Sequence, residues 1–91
     1  MNFKLFDLYR IGNDIGYISF ISKAHYITLV VREWEDKESM NGKRQVKILV
    51  FPHEYAAMEK LNIEEYAEQF PHTFVTQKWR MIKSLNLRSC N

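Results

Sequence analysis

The chain changes its periodicity at Pro52, and that break limits the folds open to it. Ahead of the proline, residues 17–22 (Tyr-Ile-Ser-Phe-Ile-Ser), 26–32 (Tyr-Ile-Thr-Leu-Val-Val-Arg) and 45–51 (Gln-Val-Lys-Ile-Leu-Val-Phe) are dense in β-branched and aromatic side chains. Such runs suit a pleated, half-buried surface and are predicted to be strands. Behind it, apolar residues recur at helical spacing. Pro52 itself has no amide hydrogen to extend a ladder, yet its fixed φ suits the first turn of a helix.

Within the first half, Phe3, Leu5 and Tyr9 allow a further strand, but apolar residues fall on both parities there, which fits a buried strand or a short helix as well. Gly12-Asn13-Asp14-Ile15-Gly16 then supplies a turn. Residues 33–43 lose all periodicity and contain Asn41-Gly42, a pair suited to a tight turn with positive φ. They are predicted to be a long, charged hairpin loop. In the second half, residues 55–61 form a short amphipathic stretch, and Asn62 with Glu65 has the spacing of a capping box ahead of Ile63, Tyr66, Ala67 and Phe70 on one helical face. Pro71 stops that helix. From Phe74 onward, Val75, Trp79, Met81, Ile82 and Leu85 gather on one side of a helix, leaving Thr76, Gln77, Arg80 and Lys83 on the other. A strand here would place Gln77 among Val75, Trp79 and Met81, so a helix is the better fit.

These readings give a fold class of α+β: a three- to four-stranded antiparallel sheet followed by two or three short helices packed on one face. With 91 residues and 46% hydrophobic content, one compact domain over residues 1–91 is expected, residues 1–51 mainly strands and 52–88 mainly helices. No apolar run approaches the roughly 20 residues of a membrane-spanning helix, and residues 1–10 alternate charge with apolar groups, unlike a signal peptide. The expected setting is therefore the cytoplasm, where the single Cys90 is a reduced, exposed thiol.

Charge is segregated along the helical half. Residues 53–68 carry five glutamates against Lys60, a net −4, whereas residues 69–91 carry Lys78, Arg80, Lys83 and Arg88 and no acid, a net +4. The chain as a whole stands at only +2, so any electrostatic function rests on distribution rather than total charge. Lys78, Arg80, Lys83 and Arg88 around Trp79 have the chemistry of single-stranded nucleic-acid binding, cations for phosphates and an aromatic face for a base. The helical projection nevertheless sets Trp79 with Val75 and Ile82, favouring a core-anchoring tryptophan beneath a solvated basic face. Glu33, Trp34, Glu35 and Asp36 in the charged loop make a second candidate partner-binding surface, anionic and aromatic.

Catalytic chemistry has weaker support. His25, His53 and His72 lack ligand spacing, and with Cys90 they are the whole supply of Cys and His ligands, so no metal is expected. Ser22 and Ser39 lack a nucleophile motif, and Gly12, Gly16 and Gly42 are too scattered to cradle a phosphate, so no cofactor is expected either. The functional expectation is a small non-enzymatic binding or regulatory protein, an inhibitor or adaptor acting on a larger protein or nucleoprotein. Its rich use of Ile, Lys, Asn, Tyr and Phe suits an AT-rich coding sequence, so a viral or other mobile-element origin is one form of this reading. The alternative is an RNA or single-stranded DNA binding protein using the basic segment. Apolar residues on both strand parities also allow a homodimer.

Overall fold

A computed structural model describes residues 2–89, with side-chain surroundings through Leu85. Arg88's side chain and Cys90 lie outside the described residues. The chain forms two compact units, one ending at Leu61 and the other beginning at Asn62.

The first unit is an antiparallel sheet of five strands: β1 (Leu8–Ile11), β2 (Asp14–Ser22), β3 (Tyr26–Glu35), β4 (Lys43–Val50) and β5 (Glu59–Lys60), in the order β4-β3-β2-β1-β5. The α+β class is therefore as expected, but the sheet has five strands rather than three or four. The additional strand is β5, two residues within a segment whose composition points to a helix. It pairs Tyr9 with Lys60 and Arg10 with Glu59, and the Leu61 amide bonds the Leu8 carbonyl at 2.9 Å. Side chains reinforce it, through an Arg10–Glu59 ion pair and Lys60 Nζ 3.6 Å from Asp7 Oδ2.

β4 and β5 lie at opposite edges, so residues 51–58 must cross a face of the sheet to join them. They do so through a 3-10 turn, Pro52–Ala57, with Pro52 at its first position, where a missing amide hydrogen costs nothing. The crossing brings Tyr55 and Met58 over Tyr9, Ile18, Ile27, Leu29 and Val50, which form the buried core together with partly buried Phe3, Ile21, Val31 and Ile48. Phe3 meets Tyr9 and Tyr55 edge-on, with ring centres 5.4 and 4.9 Å apart. On the opposite face Leu8, Tyr17, Thr28 and Val30 are also buried. Burial on both faces explains why the strands read as apolar runs rather than strict alternations.

Two irregularities shape the sheet. β2 shifts register between Ile18 and Phe20, and β3 between Val30 and Arg32, where Val31 is the extra residue. An extra residue reverses the inward–outward alternation beyond it. Ahead of β1, Phe6 lies at φ 72°, in a turn closed by the Asp7 amide on the Lys4 carbonyl at 3.2 Å. Both Phe6 and Asp7 oppose Ile18: the Phe6 amide bonds its carbonyl at 2.8 Å, and its amide bonds the Asp7 carbonyl at 3.0 Å. That is a bulge whose left-handed position normally belongs to glycine.

The second unit contains α1 (Ile63–Gln69) and α2 (Phe74–Ser89). Asn62 caps α1 as its spacing implies, its side chain accepting from the amides of Glu64 at 3.0 Å and Glu65 at 3.1 Å. The segment from Phe74 is helical, resolving the helix-or-strand choice. The outward assignment of Thr76 is overturned, because Thr76 is fully buried. Its hydroxyl donates to the Phe70 carbonyl at 2.7 Å and lies 3.1 Å from Thr73 Oγ1, which in turn accepts the Thr76 amide at 3.3 Å. The first turn of α2 is thus tied to the end of α1. Thr76→Val keeps the shape and removes the donor, so it should destabilise α2 by about 1 kcal/mol, read as a lower urea midpoint of the helical circular-dichroism signal. Among the described residues, no helix is long and apolar enough to cross a membrane.

Candidate functional site

The segment expected to be a loop is mostly strand. β3 continues to Glu35 and β4 begins at Lys43, pairing Glu35 with Lys43, Trp34 with Arg44, Glu33 with Gln45 and Arg32 with Val46. The predicted loop of residues 33–43 therefore shrinks to residues 36–42. Side-chain hydrogen bonds order the tip: Asp36 Oδ1 accepts the Glu38 amide at 3.0 Å, and Ser39 Oγ donates to the Lys43 carbonyl at 2.7 Å. Gly42 takes the positive φ, 74°, that the Asn-Gly pair suggested. Because the described pairing of β2 with β3 stops at Tyr17 and Val30, the remainder of β3 and β4 forms a two-stranded arm.

The alternation reversed at Val31 divides the sequence cluster between the two faces of this arm. Glu33 turns to the side of Tyr17, where its carboxylate accepts from Tyr17 Oη at 3.1 Å and Gln45 Nε2 at 2.8 Å, and pairs with Lys43 Nζ at 3.5 Å. Its side chain is only 11% exposed, so it holds the arm in place rather than offering a free anion. Asp36 is engaged as well, paired with Arg44. Glu35 is exposed at the end of β3.

Trp34 faces the other way. Its ring is 43% exposed, with the Arg32 guanidinium carbon 5.7 Å from the ring centre and Arg44 directly across the ladder. Val46, opposite Arg32, is also exposed. The face is consequently aromatic with two guanidiniums, of which Arg44 is paired with Asp36, so its net charge is positive rather than negative. Sequence reasoning placed Trp34 among acids because it counted neighbours along the chain, whereas in a strand the neighbours on one face are two residues away and across the ladder.

The Glu33 network has a measurable signature. Burial, followed by the charge of Glu33 and its hydrogen bond, pushes the Tyr17 phenol up to about 12 from its ordinary 10. Burial also raises Tyr9. A folded protein that keeps a proton the unfolded chain has released loses stability as pH rises. The contribution is complete below pH about 10 and is lost toward pH about 12, and for Tyr17 amounts to about 2 kcal/mol. The melting temperature should fall over that interval, and less steeply in Tyr17→Phe.

The basic segment is only partly gathered. Trp79 is half-buried, with Lys83 Nζ 5.0 Å from its ring centre, so that one side of the ring already carries a cation. Arg80 and Lys83, three residues apart, share an exposed helix face with that edge of Trp79, whereas Lys78 lies off it and is half-buried. No ion pair among the described residues joins Lys78, Arg80 or Lys83 to the α1 glutamates. No group of three His, Cys, Asp or Glu able to hold a metal occurs among the described residues. Comparison with protein-family models, curated proteins and solved structures finds no match to this chain.

Proposed function

We propose that this is a non-enzymatic binding protein, of inhibitor or adaptor type, that docks on a larger cytoplasmic protein through the Arg32, Trp34, Arg44 and Val46 face of its β3–β4 arm. The observation that carries the reading is the exposed Trp34 ring flanked by two arginines on paired strands. Tryptophan and arginine dominate the energetics of protein interfaces, because a flat, amphipathic ring buries large area with few freezing torsions and a planar guanidinium presents several donors in one fixed fork. A side chain held on a hydrogen-bonded ladder also loses less freedom on docking than one on a loop.

The edge strand supports a foreign partner over a second copy at this place. On β4, Lys47 is exposed, while Lys43 and Arg44 are held by Glu33 and Asp36; charged side chains along an edge strand oppose its pairing with a second copy. The basic face of α2 is a poorer platform for bases, since Lys83 already covers one side of the half-buried Trp79.

The test is affinity capture from the source cells, run in parallel with and without nuclease treatment. Wild-type protein should retain a discrete protein that Trp34→Ala fails to retain. Retention of nucleic acid instead, abolished by alanine at Lys78, Arg80 and Lys83, would overturn the proposal in favour of the nucleic-acid reading.

A further inference from the structure

A different part of the sheet is left open beside β2. The β1 ladder ends at Leu8, and after the bulge of Phe6 and Asp7 on Ile18 the chain turns away. β2 continues to Ser22 and, beyond Ile18, pairs with β3 alone among the described residues. Residues 19–22 thus have a strand on one side and none on the other, over a length of roughly 13 Å. A cleft of about 910 Å³ occupies the vacant side, walled by residues 2–5 and 19–23. Its apolar surface comes from Phe3, Leu5, Phe20, Ile21, Ile27 and Tyr55. Its charged lining residues are Lys4 and Lys23, both exposed, and none of the lining residues is acidic.

The turn that opens the cleft is held by Phe6 at φ 72°. A bulky side chain is strained in that region, and strain of this kind collects where a binding geometry must be maintained. The strain, the open strand edge, the apolar walls and the two lining lysines are separate observations at one place.

We propose that this cleft binds an extended peptide of alternating apolar and acidic residues from a partner protein, added as a short strand beside residues 19–22. The peptide backbone would lie about 4.8 Å from β2 and supply the amide and carbonyl groups that β1 withholds. Alternate side chains would meet the apolar wall, and the intervening carboxylates would meet Lys4 and Lys23. A nucleic acid offers charge to the lysines but no row of amides to the strand edge. A fatty acid offers a chain and one carboxylate, again without amides. Open backbone and cationic rim together select an acidic peptide.

The probe is an acetylated peptide of alternating valine and glutamate, titrated at up to millimolar concentration into isotope-labelled full-length protein. Amide resonances of residues 19–22 should shift and become protected from exchange. A peptide with lysine in place of glutamate should leave them unmoved, and so should the valine–glutamate peptide with alternate amides N-methylated. Lys4→Glu combined with Lys23→Glu, both on exposed side chains, should weaken binding about tenfold or more while the other resonances keep their positions. The proposal is overturned if the valine–glutamate peptide fails to shift these amides, or if the lysine or N-methylated peptide binds as well. It is equally overturned if oligothymidylate or laurate gives the same shifts and protection. Trp34 is not part of the cleft, so Trp34→Ala should leave the titration unchanged, and the arm and the cleft stand or fall separately.

Discussion

Alanine at Gly16 should lower the melting temperature by roughly 10 °C, the product of about 2 kcal/mol of overpacking and the roughly 5 °C per kcal/mol usual for a chain this size. The cause is local and backbone-made. A Cβ at Gly16 would lie 2.9 Å from the Val30 carbonyl carbon, closer still to its oxygen, and 3.0 Å from a Val31 methyl. Val30 and Val31 are where β3 takes its extra residue, so the carbonyl is fixed by ladders on both sides and has little freedom to retreat. Gly12 is the control. It has positive φ but nothing within 4 Å of an added Cβ, so Gly12→Ala meets only the left-handed penalty of about 1 kcal/mol. If calorimetry finds Gly16→Ala no less stable than Gly12→Ala, the close approach of β2 to the β3 bulge is wrong.

Truncating Trp34 should have the opposite profile, small in stability and large in binding. The ring is 43% exposed, and its loss should cost folding no more than about 1 kcal/mol. Against the captured partner, purified and titrated by calorimetry, Trp34→Ala should weaken affinity about 30-fold or more, the loss expected of a central aromatic anchor. Arg32→Ala should weaken it less, because the guanidinium contributes beside the ring rather than in its place. Glu33→Gln should mainly affect stability, since Glu33 is bound by Tyr17, Gln45 and Lys43 within the arm. A wild-type affinity in Trp34→Ala would remove the tryptophan from the interface.

Strands and helices whose signals are local could be read from the chain. Asn62 and Glu65 mark the start of α1 because a cap depends on residues two and three positions away. Tyr26 to Val31 marks β3 because its composition suits burial on both faces. What could not be read depends on contacts distant in sequence. β5 exists because Glu59 and Lys60 meet Arg10 and Asp7 across the sheet, whereas their own propensities point elsewhere. Thr76 is buried because its hydroxyl finds the Phe70 carbonyl, a partner no helical projection includes. The candidate surface shows the same limit most sharply: one extra residue at Val31 decides that Trp34 leaves the acids beside it and joins Arg32 and Arg44. Periodicity alone cannot locate a bulge, so Trp34 could be singled out from the sequence but not the charge around it.

The most direct measurement of the arm's role is crosslinking in living cells with a photoreactive amino acid at position 46. Val46 is exposed, sits across from Arg32 on the Trp34 face and is not needed by the core. Irradiation should join the chain to one discrete protein, and Trp34→Ala in the same chain should abolish the adduct. An adduct that is nucleic acid, or a protein adduct of undiminished yield in Trp34→Ala, would contradict docking through this face.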